Sequence, residues 1–190
     1  MDKSTLIEIR WHGRGGQGAV TSAELLAKAA IDEGKYAQAF PAFGPERRGA
    51  PVVAFNRISG VNPIRVRAGI TEPNIVVVLD ETVLSVVNVT EGLKKEGFVV
   101  VNTKKPAGQL KTGLGDHWRF ATIDATRIAR ETLGVPIVNT TMLGALIKAS
   151  GVVSVESLFE PLKERFGRLA ERNINAMKRA VEETTIEELH

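Results

Sequence analysis

The chain has 190 residues, 43% hydrophobic and 25% charged, the balance of an ordinary soluble globular protein rather than a disordered one. Its net charge of +3 is too weak to argue for nucleic acid, and no run of 18 apolar residues exists to span a membrane. There is no cysteine, so the chain offers no thiolate to an iron–sulfur cluster and no disulfide; the histidines His12, His117 and His190 stand at no metal-ligand spacing.

Taken in chain order, Leu6 to Trp11 reads as a first strand. Gly13-Arg14-Gly15-Gly16-Gln17-Gly18 follows at once, and Ala19 to Ile31 has helical spacing, closed by Gly34 at the C′ position. Tyr36 to Phe40 is a second strand. Residues 41–51, with Pro41, Gly44, Pro45, Gly49 and Pro51, form an irregular loop. Val52 to Ile58 and Ile64 to Arg67 alternate well enough for two strands around Ser59-Gly60. Ile75 to Leu79 and Phe98 to Val101 are continuous apolar runs, the signature of parallel strands buried on both faces, and a helical stretch with Leu84, Val87 and Leu93 is predicted between them. Arg119 to Ile123 is a further strand, with Asp124 capping a helix to Leu133. Asn139-Thr140-Thr141 is expected to cap a helix over Met142 to Ala149 that ends at Gly151. Glu156 to Phe166 and Ala170 to Glu183 read as two amphipathic helices parted at Gly167.

This alternation predicts an α/β, Rossmann-like fold: a mostly parallel sheet flanked by helices, with C-terminal helices. We read residues 1–190 as a single domain, with an α/β core over about 5–150 and a helical segment over about 154–190. The start of the chain, Met1-Asp2-Lys3-Ser4, has no basic region followed by an apolar stretch, so a cytoplasmic location is expected.

The glycine-rich segment matches Gly-x-Gly-x-x-Gly between a strand and a helix, where glycines let the backbone approach a ligand and the helix start offers N–H groups to an anion. The dinucleotide reading lacks its ribose-binding acid: the second strand ends Phe40-Pro41-Ala42, and Asp32 and Glu33 fall in the helix before it. A tight structural turn, an anion contact and a subunit contact stay open. The candidate contact residues are Gly13, Arg14, Gly15, Gly16, Gln17 and Gly18, joined by Arg47 and Arg48, whose alternative is ion pairing with Glu46 or solvation. Asp80 ends a buried strand, where ligands gather in α/β folds, and is equally placed to cap the next helix. No catalytic residues and no metal ligands are expected: there is no Gly-x-Ser-x-Gly elbow and no histidine near a Ser/Asp set in sequence.

Trp11 to Ala23 (WHGRGGQGAVTSA), Ala39 to Val52 (AFPAFGPERRGAPV) and Val138 to Ala145 (VNTTMLGA) occur in an order and spacing that resemble the gamma subunit of 2-oxoacid:ferredoxin oxidoreductases, the pyruvate enzyme above the others. The resemblance runs over most of residues 5–180. It implies a complex with alpha, beta and delta partners that converts pyruvate and coenzyme A to acetyl-CoA, carbon dioxide and reduced ferredoxin. It further implies thiamine diphosphate and magnesium between alpha and beta chains, and 4Fe-4S clusters in beta and delta chains. This chain would hold no cofactor alone; it would be a non-catalytic subunit that gives shape and one wall of the coenzyme A site, and in isolation could homodimerise. The alternatives are a gamma chain for indolepyruvate, 2-oxoisovalerate or 2-oxoglutarate, or a stand-alone nucleotide-binding reductase.

Overall fold

The computed structural model describes residues 6–42 and 49–189. Its frame is a seven-stranded sheet in the order β2-β3-β1-β4-β5-β6-β7: β1 is Ile7–Arg14, β2 Tyr36–Pro41, β3 Pro51–Ser59, β4 Ile75–Val78, β5 Phe98–Asn102, β6 Arg119–Ile123 and β7 Thr185–Glu187. β1, β4, β5 and β6 pair in parallel, and β3 and β7 pair antiparallel to their neighbours. β2 pairs antiparallel to β3 and so runs with β1. The expected mostly parallel α/β sheet is therefore present, with β3 and β7 as its two reversed strands.

Alternation along the central strands supplies two cores. Ile9, Trp11, Ile75, Val77 and Val100 face the larger one, and Val76, Val78, Val99 and Val101 face the smaller. Both sides are apolar because both are covered, which is why these strands read as continuous hydrophobic runs. The larger core lies under α1 (Ala19–Asp32) and α4 (Asn139–Ser150). α6 (Ala170–Glu183) packs on α4 with α3 (Ala125–Leu133) beside both, and α5 (Phe159–Phe166) packs on α6 and α1. The smaller core is closed by α2 (Ala107–Leu114) and the irregular segment before β5.

Several local predictions hold. Gly34 has φ +78°, and the Gly34 and Lys35 amides donate to Ile31 and Ala30, the two bonds of a Schellman end. Asp124 accepts from the Arg127 amide at 2.9 Å and caps α3. Other expectations are corrected. Ile64 to Arg67 is an exposed extended segment and not a strand, since no neighbouring strand takes its backbone groups; buried Arg57 donates to the Val66 carbonyl instead. The helix expected around Leu84 to Leu93 is only a 3-10 turn over Glu81–Ser85 followed by irregular chain. Val83, Val86, Val87 and Val89 are poor helix formers, and Gly92, at φ +68°, sits where a Cβ would lie 2.0 Å from the Thr71 carbonyl. Asn139 to Thr141 do not cap α4 from outside. They form its buried first turn, and Val138 is the N-cap. The helix α2 and the strand β7 were not anticipated, so the C-terminal segment is not wholly helical.

Candidate functional site: the glycine turn at the carboxyl edge of the sheet

β1 is longer than its apolar residues suggest and carries Gly13 and Arg14 as strand residues paired with Val52 and Pro51. The turn proper is Gly15 to Gly18, with φ +94° at Gly16 and +84° at Gly18, conformations that glycine adopts without steric cost. Gly18 has a second reason to be glycine: a Cβ there would lie 2.9 Å from Asn139 Nδ2, so the starts of α1 and α4 abut. Ser22 Oγ donates to the Asn139 carbonyl at 3.2 Å and ties the two helices together. Beneath them Trp11 Nε1 donates to Asn56 Oδ1 at 2.8 Å, and Asn56 Nδ2 donates to the Ala23 carbonyl at 2.8 Å, satisfying a fully buried indole.

The turn is cross-braced. The Gly15 amide donates to the Ala50 carbonyl at 2.9 Å, and the Gln17 amide to the Arg14 carbonyl at 3.0 Å. Gln17 Oε1 accepts from the Arg14 amide at 2.7 Å while its Nε2 donates to Asp80 Oδ2 at 2.7 Å. Asp80 Oδ1 accepts from both the amide and the hydroxyl of Thr82, at 2.9 and 2.7 Å. Arg14 Nε donates to Thr82 Oγ1 at 2.8 Å, its Nη1 donates to the Gly49 carbonyl at 3.0 Å, and Nε lies 3.7 Å from Asp80. Burial alone would raise the Asp80 carboxyl, but the Thr82 and Gln17 hydrogen bonds and the Arg14 charge outweigh it and hold it below its ordinary range. Asp80 thus both caps the 3-10 turn and fastens the glycine turn to β4.

Six of the predicted site residues, Gly13 to Gly18, therefore come together at one place. Arg14 and Gln17 spend their donors inside the chain, and the amides of Gly16 and Gly18 with the first turn of α1 remain as donors at this edge among the described residues. Arg47 and Arg48 lie outside the described residues. Beside the turn, past the carboxyl ends of β4, β5 and β6, opens a cleft of about 530 Å³. Asn102, Lys104, Lys105 and Arg130 line it together with Asp80 and Asp124. The sequence reading passed over these four, although Asn102 ends an apolar strand, and such positions face the crevice of an α/β sheet. His12, next to Gly13, is buried and structural: its Nε2 accepts from Arg10 Nε at 3.1 Å, and burial, together with the Arg10 charge, lowers its pKa to about 3. The Arg10 guanidinium donates in turn to the carbonyls of Val89 and Glu91, at 2.9 and 2.6 Å.

Among the described residues, the topology gives a dinucleotide no ribose acid. In the ordinary arrangement a parallel second strand lies beside β1. Here the reversed strand β3 takes that place and presents Pro51 at the relevant edge. Asp32 and Glu33 sit at the far end of α1, where Glu33 is engaged by Lys35 and Ser154.

The family model for pyruvate ferredoxin/flavodoxin oxidoreductase matches residues 8–183. The chain belongs to that family. Among its relatives is the protein named pyruvate/ketoisovalerate oxidoreductases common subunit gamma from Pyrococcus furiosus, 54% identical over 186 residues, which are 97% of this chain and 100% of the relative. Another is pyruvate synthase subunit PorC from Methanothermobacter thermautotrophicus, 55% identical over 179 residues, 94% of this chain and 96% of that one. The crystal structure of pyruvate oxidoreductase subunit PORC from Thermotoga maritima superimposes with a TM-score of 0.87 at 39% identity, over 97% of this chain and 100% of the other. The chain is thus a gamma-type member of the oxidoreductase family. Two of the three family-like segments now have physical roles: Trp11 to Ala23 builds the braced turn, and Val138 to Ala145 builds the α4 start that meets Gly18 and α6. In the latter, Thr140 Oγ1 donates to Asn173 Oδ1 at 2.9 Å. Of the segment Ala39 to Val52, residues 43–48 lie outside the described residues. No described helix is long and apolar enough to cross a membrane.

Proposed function

We propose that this chain is the gamma subunit of a multisubunit, cytoplasmic pyruvate:ferredoxin oxidoreductase, which converts pyruvate and coenzyme A to acetyl-CoA, carbon dioxide and two reduced ferredoxin equivalents. The observation that carries the reading is similarity along the whole of both chains to proteins named for pyruvate oxidoreductase and pyruvate synthase. In this reading, residues 1–190 act as one domain and as a non-catalytic subunit beside alpha, beta and delta chains. Thiamine diphosphate, magnesium and the 4Fe-4S clusters belong to those partners, in keeping with a chain that has no cysteine. The Gly13–Gly18 turn, with Arg47 and Arg48, faces coenzyme A or a neighbouring subunit. Its contribution is a rigid edge with remaining backbone donors, since Arg14 is already bonded to Thr82 and Gly49.

The test is native purification of the tagged chain, identification of the chains that accompany it, and viologen reduction dependent on pyruvate and coenzyme A. Recovery of larger cysteine-bearing partners with that activity is the expected result; a solitary chain that binds a nicotinamide nucleotide would overturn it. In the recovered complex, Arg14→Ala releases the turn from Thr82 and Gly49, and a several-fold rise in the Michaelis constant for coenzyme A is expected. An unchanged constant would remove the turn from the coenzyme A site. A second reading, service to a 2-oxoisovalerate complex as well, is favoured by the Pyrococcus furiosus relative, whose name describes a subunit common to pyruvate and ketoisovalerate enzymes. Activity of the same eluate with 2-oxoisovalerate distinguishes the two.

A further inference from the structure

Residues 60–69 connect β3 toward β4 without regular structure, and nearly all of their side chains face solvent. Val61 is 53% exposed and Val66 52%, with Arg65 and Arg67 beside them. A loop with so little apolar burial has no hydrophobic reason to hold a shape. This one is held by its backbone. Arg57, only 2% exposed, reaches up from β3, its Nη1 donating to the Val66 carbonyl at 3.3 Å and its Nη2 lying 3.5 Å from that of Gly69. The same guanidinium donates to Glu8 at 2.9 Å through Nε and stands 5.4 Å from the Phe40 ring centre. Gln38 Nε2 donates to the Ile64 carbonyl at 3.1 Å, and Ser59 Oγ accepts from the Asn62 amide at 3.1 Å. Ile70, 4% exposed, anchors the end of the loop. A buried cation is thus used to fix the course of a segment that buries almost nothing of its own.

We propose that residues 61–67 are a docking segment through which this chain seats on an acidic face of a partner chain in its complex, with Val61 and Val66 entering apolar sites on that face. The proposal rests on the gamma-subunit reading and names the surface and chemistry of the contact. Charge selects the occupant. Between Glu46 and Glu72 the sequence carries Arg47, Arg48, Arg57, Arg65 and Arg67 and no acid. Of the described arginines, Arg57 is neutralised by Glu8, whereas Arg65 and Arg67 enter no ion pair among the described residues. A second copy meeting this surface about a two-fold axis would set these arginines against themselves, which disfavours a homodimer here. Two exposed valines interleaved with the arginines fit a protein surface and have no use against a phosphate chain. Beside the loop a depression of about 330 Å³, bordered by Gln38, Phe40 and Arg67, has room for a side chain from the partner.

The test uses the tagged full-length chain co-expressed with its partner chains, comparing wild type, Arg65→Glu/Arg67→Glu and Val61→Ser/Val66→Ser. All four substitutions fall on exposed side chains, so the isolated variants should melt with the wild type. Retention of partners is measured at rising salt and by titrating each purified chain into complex lacking it. Expected are wild-type retention that falls with salt, an association roughly tenfold weaker or worse for the charge reversal, and a smaller loss for the serine pair. If wild type recovers its partners and both variants bind as tightly, the loop faces solvent in the complex and the docking proposal is wrong while the subunit reading stands. If the variants assemble normally but require more coenzyme A, the loop serves an anionic ligand and the proposal is equally overturned. If wild type itself recovers no partner, the subunit reading fails first and takes the proposal with it.

Discussion

Gly144 offers the sharpest test of how this fold is packed. It lies in the middle of α4, where helix propensity alone would favour alanine by about 1 kcal/mol. A Cβ at Gly144 would stand 2.2 Å from the Met177 carbonyl oxygen and 2.9 Å from the Ala180 Cβ. Both belong to α6, and the carbonyl is backbone, so no rotamer change relieves the contact. Ordinary contact begins near 3.4 Å, so the two helices must part by about 1.2 Å. That movement would disturb the Thr140–Asn173 hydrogen bond and the packing of Met177 and Ala180, both fully buried. Overpacking of this kind costs about 3 kcal/mol at the upper end of its usual range. Less the propensity gain, Gly144→Ala should lose about 2 kcal/mol. For a chain of this size that is a fall in Tm of about 4–8 °C. The assay is thermal unfolding of the purified chain by circular dichroism, with Gly113→Ala as its opposite. Gly113, in α2, has nothing within 4 Å of an added Cβ, and its substitution should gain about 0.5–1 kcal/mol. A Gly144→Ala chain that melts with the wild type or above it would refute the close α4–α6 crossing.

In the glycine turn, Gly18→Ala meets both positive φ and the Asn139 side chain, whereas Gly16→Ala meets positive φ alone. The first should therefore lower Tm clearly more than the second, and equal losses would mean that Asn139 does not crowd Gly18. His12 has a folded pKa of about 3 against an ordinary 6.5, so the unfolded chain binds its proton first. Its contribution is complete above pH 6.5 and is lost as pH falls toward 3. Melting of His12→Gln, which keeps an acceptor for Arg10, should fall less steeply across that window than wild type, and parallel curves would show that His12 is not held neutral. For Glu33, burial opposes ionisation, but hydrogen bonds from Lys35, Ser154 and Ser157 bring its pKa down to about 2. The stability it adds is present above pH 4.5 and lost as pH falls through about 2, so the deficit of Glu33→Gln should be largest at neutral pH and vanish in strong acid. A deficit independent of pH would point to lost packing rather than to the carboxylate charge.

What could be read from one sequence was what local chemistry controls. Ile75 to Val78 and Phe98 to Val101 announced strands buried on both faces because every side chain in them is apolar. Gly34 and Asp124 marked helix ends because φ and side-chain reach are local properties. The three family-like segments carried the assignment to the oxidoreductase family. The tertiary structure decided what depends on distant neighbours. Ile64 to Arg67 has a strand's alternation, but its carbonyls go to Gln38 and to a buried arginine. The valines before β5 have a helix's spacing, but Gly92 pressed against Thr71 and a poor run of helix formers left only a 3-10 turn. Most tellingly, Arg14 looks from sequence like an anion ligand, because a guanidinium beside a glycine loop suits phosphate. Whether its donors stay available depends on Thr82 and Gly49, 68 and 35 residues away, and in the folded chain they take them. Sequence thus determined which segments could form the edge of the site, and only the fold determined which of its donors are already used to hold that edge rigid.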